Sequence, residues 1–533
     1  MEKCLAALVM AALATVPAVH AQQVSAPYLY VWAGDGDKQE SDFLAVLDVR
    51  PGSPTYARVL STLPVGATGT TPHHTEHQLE IDRVLFANGF GAGRTFRFDL
   101  GAPAEPRLLG SFTELGGYSF PHSFVRLANG NLLATFQGRG PGNTPPGGLV
   151  ELDREGRFIR GTNARAPGFD STQMRPYSLA VLPAIDRVVS TSTDMTDEFG
   201  AHLQIWRLSD LALLSTVELP ATTAGDGHAH EGVPNRRNED HHLFPGEPRT
   251  LADGRTVLLA TFTCGFYRVT DIDSPTPRVE FLRAFAGMNC AVPILAGSYW
   301  IQTVPDEHAL LVLDVRESAH PREISRVTFD STFTPHWMAY DEGGSRLVVN
   351  DGRARMFLVA VNQQTGRLAI DSTFRDSGAA VPGVTFDRAG WPHGATGPAV
   401  PHGSVFARPE RDLLGEAADL YQRYGAALRE GRRADIATAY DRAGARIIFN
   451  GVPRQASWVE LDARYRGPWR PPTQFRWDSL AFQVIGPSHV LVTGGFWWQS
   501  AGEADSTRYQ YTAVLAASDS TLGITFEQET LWP

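Results

Sequence analysis

Residues 71–74 read Thr71-Pro72-His73-His74, and the Pro-His step returns at Pro121-His122, Pro335-His336 and Pro401-His402. A short turn and an apolar run follow each time: SFVRLANGNLLATF after His122, WMAYDEGGSRLVVN after His336, GSVF after His402. Local context does not explain a recurrence at intervals of tens of residues. A circular repeat that brings one histidine per unit to a common centre does explain it, and such self-similarity marks a repeat fold.

From Tyr28 to about Pro409 the pattern is all-β. YLYVWAG, FLAVLDV, RVLFANGF, TFRFDL, LQIWRL, TVLLATF, ALLVLDV and MFLVAV are short aromatic or β-branched runs separated by Gly, Asp and Pro. The repeat is roughly 45 to 65 residues, in the range of propeller blades with insertions. Openings fall at His73-His74, Pro121-His122, Pro176-Tyr177, Pro245-Gly246, Asn289-Cys290, Pro335-His336 and Pro401-His402, which makes seven. The last opening has one strand after it, whereas residues 28–71 have later strands but no opening strand. Pairing the two ends in one blade supplies both deficits and removes a free sheet edge. The expected fold is therefore an all-β seven-bladed β-propeller over 28–409. After it the pattern turns to helix-forming residues (Leu413, Leu414, Ala417, Leu420, Tyr421, Tyr424) and then strands, so a small α+β cone-shaped domain is expected over 410–533.

The chain has 533 residues, 43% hydrophobic and 20% charged, enough for a sizeable core. A formal charge of −11 argues against nucleic acid as a partner, and no apolar run beyond the N-terminus is long enough for a membrane span. Residues 1–21 read as a signal peptide: Met-Glu-Lys, an apolar stretch, then Val19-His20-Ala21 as the cleavage site. Secretion, for instance to the periplasm, is the expected localisation. Cys4 would leave with the leader, so Cys264 and Cys290 remain as a disulfide, as two buried thiols, or, for Cys290, as a soft metal ligand.

In a propeller the first residues of each innermost strand face one another across the mouth of the central channel. The openings put His73, His74, His122, His336 and His402 there, together with Tyr177, Gly246 and Cys290. Several neutral imidazoles in one place favour Cu, Zn or Fe over Ca or Mg. A metal held by His73, His74, His122, His336 and His402 is expected, copper ahead of zinc or iron. His77, Cys290 and His393 are further candidates. A second cluster lies in GDGHAHEGVPNRRNEDHHLFPG, where His228, His230, His241 and His242 stand among Glu231, Glu239 and Asp240. It reads either as a second site or as a solvated polar loop. No nucleophile elbow or P-loop is present, and no catalytic side chain is assigned.

The segments YLYVWAGDGDKQESDFLAVLDVRPGSPTYARVLSTLPV leading to His73-His74, PHSFVRLANGNLLATF and EFGAHLQIWRL resemble the selenium-binding protein / methanethiol oxidase family. The resemblance implies a seven-bladed propeller, and in bacterial members a periplasmic copper enzyme that oxidises methanethiol to formaldehyde, hydrogen sulfide and hydrogen peroxide. The copper-associated histidines of the family match His73, His74 and His122, with His402 as the C-terminal counterpart. Where the family carries a Cys shortly after the paired His, this chain reads Thr75-Glu76-His77-Gln78-Leu79-Glu80. Selenium binding through that thiol is not expected, while the histidines are retained.

The C-terminal part is similar in pattern to the SnoaL-like (nuclear-transport-factor-2-like) cone. That resemblance implies a possible homodimer and a small apolar ligand near Phe475, Trp477, Trp497 and Trp498. Two readings follow. One is a metal-dependent oxidoreductase-type propeller acting on a small thiol or other oxidisable small-molecule substrate. The alternative is a non-catalytic metal- or ligand-binding propeller dimerised through its SnoaL-like domain.

Overall fold

The computed structural model describes residues 25–195, 199–222, 242–290, 292–409, 411–467, 469–486, 488–518 and 521–532. Up to Phe406 the described residues form seven antiparallel sheets of four or five strands, a nearly all-β, propeller-like arrangement. Their inner strands, one per sheet and given in chain order, are Pro72–Thr75, Tyr118–Arg126, Pro176–Leu182, Pro245–Thr250, Ile294–Ala296, Trp337–Asp341 and Ala399–Phe406. The last of these completes the sheet begun by Tyr28–Asp35, with Leu29 opposite Phe406 and Ala33 opposite Pro401. The two ends of the segment thus share one sheet, the pairing that their complementary deficits predicted.

The apolar runs are continuous because both faces of a strand are buried. In Tyr28–Asp35, Leu29, Val31 and Ala33 pack against Val348, Met356 and Leu358 of the preceding sheet. Tyr30 and Trp32 face the other way, onto Leu85, Ala87, Phe96 and Phe98 of the following one. Period-two alternation therefore divides the strand between two cores rather than between core and water.

A buried ion pair ties the join: Arg346 donates through Nε to Asp341 (2.9 Å) and through Nη2 to the Ala26 carbonyl (2.6 Å). The Ala26 amide in turn donates to Asp341 Oδ2 (3.0 Å).

The sheet beginning at Ile294 departs from the expected pattern. Its first strand starts four residues after Cys290, and Cys290 is disulfide-bonded to Cys264, 26 residues earlier. Closing a loop of that length restricts the unfolded chain, so replacing both cysteines by Ala is expected to cost about 3 kcal/mol. Urea midpoints of the oxidised wild type and of the double variant test this. Equal midpoints would mean that the bridge does not contribute.

Residues 411–532 form a six-stranded mixed sheet. Its edge-to-edge order is Val452–Ala456, Ala445–Phe449, Leu522–Leu531, Thr507–Ala517, His489–Gln499, Gln474–Gly486. The helix Leu413–Glu430 lies on it, capped by Asp412 at one end and by left-handed Gly431 (φ 64°) at the other. Ala417, Leu420, Tyr421 and Tyr424 are buried on its inner face, whereas Leu414 points to solvent. A second helix, Trp458–Arg466, is not expected from the apolar pattern and opens with a Ser457/Glu460 capping box. Phe475, Trp477 and Trp498 pack into or against this core. Trp497 faces the other side of the sheet, with Arg476 and Arg508 over its ring.

Among the described residues, no helix is long and apolar enough to cross a membrane.

Candidate metal centre

Five of the seven sheets carry the same irregularity in their inner strand. Two residues there stand opposite one: His73 and His74 opposite Asn88, His122 and Ser123 opposite Thr135, Tyr177 and Ser178 opposite Thr191. Gly246 and Glu247 stand opposite Ala260, and His402 and Gly403 opposite Trp32. A bulge of this kind breaks the alternation of the strand and re-aims its side chains. Sequence-adjacent His73 and His74 can therefore reach one centre.

In three of these sheets the bulge frees a backbone amide, and a side chain on the second strand takes it up. Asn88 Oδ1 accepts from the His74 amide (2.6 Å), Thr135 Oγ1 from that of Ser123 (3.0 Å) and Thr191 Oγ1 from that of Ser178 (3.2 Å). Asn88 Nδ2 and Thr135 Oγ1 then donate to the carbonyls of Pro121 (3.0 Å) and Tyr177 (2.7 Å) in the next sheet. The mouth is thus clamped from sheet to sheet. At Gly403 the neighbouring strand passes so closely that a Cβ would lie 2.6 Å from the His73 carbonyl oxygen.

The result is one continuous cluster of five imidazoles. Nitrogens of His73, His74 and His122 all lie within 4.8 Å of one another. The His73 ring centre is 4.4 Å from that of His402, and His402 Nε2 is 3.0 Å from His336 Nε2. Burial, reinforced by neighbouring imidazoles, holds His73, His74 and His402 well below the usual histidine range. Burial alone lowers His122 to about 4 and also lowers His336. The cluster is accordingly neutral at pH 7, the state in which imidazole carries a lone pair for a metal.

The donor set fits a transition-metal ion. His122 Nδ1 faces the Tyr177 carbonyl at 2.9 Å, so it carries the proton, and Nε2 is left buried with no partner. His73 Nδ1 is likewise buried and unpartnered. His402 Nδ1 faces the His73 carbonyl at 2.8 Å, which leaves its Nε2 as an acceptor toward His336. Two imidazoles bound to one ion at right angles stand about 3 Å apart at normal metal–nitrogen distances. That is the spacing of the His336–His402 pair; the triad is more open.

Glu247, which the sequence reading did not single out, is fully buried beside the cluster. Its Oε2 is 2.9 Å from His77 Nε2 and pairs with Arg249, and its Oε1 is 3.2 Å from His74 Nδ1. The last contact is close but not aligned as a hydrogen bond, since Oε1 has no bonding partner; we regard it as a charge contact. Burial alone would raise this carboxyl, but His77 and Arg249 hold it down at about 2. A fixed negative charge therefore stands next to neutral imidazoles. Trp337 lies flat on His77 (ring centres 5.0 Å apart, planes at 6°) and edge-on to His74.

The other candidates lie elsewhere. Cys290 is not a ligand, because its sulfur is bonded to Cys264. His393 binds Thr62 Oγ1 through Nδ1 (2.7 Å) and packs on Phe43, so it does not replace His402. His242 faces the Thr263 carbonyl (2.9 Å) and stacks on Phe281, away from the five. His77 stands 2.9 Å from Glu247 Oε2 and outside the group of close nitrogens formed by His73, His74 and His122. His228, His230 and His241, with Glu231, Glu239 and Asp240, fall outside the described residues.

Below the cluster runs a cavity of about 650 Å³ lined by residues of six of the seven sheets. His74 and His77 lie at one end, and the turn Leu127–Asn129 is at its edge.

No protein-family model matches the chain. It is 38% identical over 217 residues to a methanethiol oxidase from Hyphomicrobium sp, an alignment covering 36% of this chain and 48% of that one. It is 30% identical over 195 residues to selenium-binding protein 2 of Arabidopsis thaliana, covering 34% and 39%. The chain thus spans at most about half the length of the curated relatives it matches. A hypothetical selenium-binding protein from Sulfolobus tokodaii superposes with a TM-score of 0.56 at 15% identity, over 71% of this chain and 93% of that one. The fold is shared. The chain is similar in sequence to proteins named methanethiol oxidase and selenium-binding protein, and its layout is propeller-like.

Proposed function

We propose that residues 28–409 are a seven-bladed β-propeller oxidoreductase whose five-histidine cluster holds copper and acts on a small thiol or other oxidisable molecule. The observation that carries this reading is a cluster of neutral imidazoles, with His73, His74 and His122 buried and His336 and His402 half-buried, in which His122 Nε2 and His73 Nδ1 have no partner among the described residues. Similarity to methanethiol oxidase supplies the substrate class. Copper, when bound, supplies one-electron chemistry and a soft position for sulfur. His122, held by the Tyr177 carbonyl, and His402, held by the His73 carbonyl, present fixed lone pairs. Glu247 provides compensating negative charge, and the cavity leads a substrate to His74. The Cys264–Cys290 disulfide and the residues 1–21 leader pattern support secretion into an oxidising compartment such as the periplasm.

The test is to express the mature chain, supply copper, zinc or iron, and measure metal per chain, then follow peroxide and sulfide release from methanethiol in air. One copper per chain with peroxide formation is expected. Absence of stoichiometric metal under all three supplies would end the proposal.

Glu247→Gln keeps the volume and removes the charge, and loss of such a supporting group typically costs roughly 10–100-fold in metal affinity. A chelator titration that finds affinity unchanged would show that Glu247 does not support the site.

The missing Cys between Thr75 and Glu80 favours a second reading, a non-catalytic metal-binding propeller. Residues 410–533 would then serve as a SnoaL-like dimerisation domain. Support comes from exposed apolar side chains there, among them Val452 (69% exposed), Val459 (71%) and Trp532 (43%). Copper binding without peroxide from any thiol, together with a dimeric mass in solution, would select it.

A further inference from the structure

The axial cavity is far larger than a one-carbon thiol requires. Its volume of about 650 Å³ lies in the middle of the range of sites that enclose drug-sized ligands. Val125, Val181, Ile294 and Leu295 give it apolar walls from several sheets.

Three arginines reach it, and each is already paired. Arg126 binds Glu76 (2.7 Å) and Asp82 (3.3 Å), Arg160 binds Glu151 (2.6 Å), and Arg249 binds Glu247 and the Pro293 carbonyl (2.9 Å). The walls therefore offer no uncompensated charge. An ionic ligand would leave water without gaining a counter-charge, which is costly, whereas apolar surface gains from entering. His74, His77 and the Ser123 hydroxyl meet at one end, the last 3.2 Å from His74 Nδ1, and Ser178, Thr250 and Tyr340 are among the uncharged polar residues elsewhere in the lining.

We propose that this cavity binds a neutral molecule with an extended apolar body of several carbons. Its single small polar or sulfur-bearing head lies at His74 and His77, and its tail runs toward Leu127–Asn129. The orientation rests on the reading of the histidine cluster as the reacting centre; the binding itself does not.

The experiment uses the metal-free full chain and straight-chain alcohols from butan-1-ol to octan-1-ol, with hexanoate and hexylammonium as charged controls, followed by calorimetry. Affinity is expected to rise roughly fourfold per methylene, as burial of each CH₂ predicts, with both charged controls at least tenfold weaker than hexan-1-ol. Val181→Trp and Leu295→Trp, on different sheets, are each expected to block alcohol binding while copper stoichiometry stays at the wild-type value. The inference is overturned if affinity does not depend on chain length or if a charged control binds as tightly as hexan-1-ol. It is also overturned if either Trp variant, folded by circular dichroism, binds alcohols as wild type does. Alcohol binding in a protein that takes up no metal would instead remove the copper reading and leave the cavity assignment standing.

Discussion

Replacing His122 by Ala is expected to lower copper affinity by well over 100-fold while leaving the metal-free fold in place. Loss of a group that only supports a ligand costs roughly 10–100-fold, and His122 contributes a ligand nitrogen itself. Its Nε2 is buried without any partner, so the protein forgoes no hydrogen bond there when the ring is removed. On the other side, the Tyr177 carbonyl loses the His122 Nδ1 proton but still accepts from Thr135 Oγ1 at 2.7 Å. The bulge amide of Ser123 also remains bonded, again to Thr135. The local backbone is therefore held by groups the substitution does not touch. His393→Ala serves as the control, because His393 binds Thr62 rather than the cluster, and its copper content should equal that of wild type. The measurement is a competition titration with a chelator of known affinity. Copper bound by His122→Ala as tightly as by wild type would place the ion elsewhere.

Four of the five histidines were legible because each follows a proline at a repeated position, and His74 because it stands beside His73; the closure of the ends was legible because the missing strands were complementary. Glu247 was not. Its neighbour Gly246 occupied the expected slot, and simple alternation would put the next residue on the opposite face. The bulge opposite Ala260 places two residues against one, so Glu247 takes the position that His74 and Ser123 hold in their own sheets. A bulge depends on pairing between strands, and a single strand read alone does not reveal it. Cys290 shows the converse error. Asn289-Cys290 resembled an opening, but the first strand there begins only at Ile294, and the cysteine is held by a partner 26 residues away. His393 lies nine positions before His402, yet the chain turns between them so that it joins Thr62 on another strand. Proximity in sequence and equivalence in the repeat are separate things, and only the second brought residues to the centre.

Acid should destabilise the metal-free protein through the same histidines. Burial holds His122 at about 4, whereas an exposed histidine titrates near 6.5. Between those values the unfolded chain binds a proton that the folded chain does not, so stability falls as the pH drops from about 6.5 toward 4. For His122 alone the loss is about 3 kcal/mol at the bottom of that window. His73, His74 and His402 are shifted in the same direction and add to it. Three carboxyls act in the opposite sense over an overlapping range. Burial pushes Glu76 up to about 7 against the pull of Arg126, burial raises Glu527, and burial with the neighbouring Glu527 pushes Glu529 up to about 8. Their contribution is present at low pH and lost as pH rises through those values. The informative quantity is therefore a difference, in which these terms cancel: urea stability from pH 7.5 to 4 for wild type against His122→Gln. Wild type should lose about 3 kcal/mol more than the variant across the window. Copper competes with protons for the same lone pairs, so the loss should move to lower pH in the copper-loaded wild type and stay where it is in the variant. Parallel profiles for the two metal-free proteins would mean that His122 is not held neutral. Coincident profiles with and without bound copper would mean that the ion does not occupy these nitrogens.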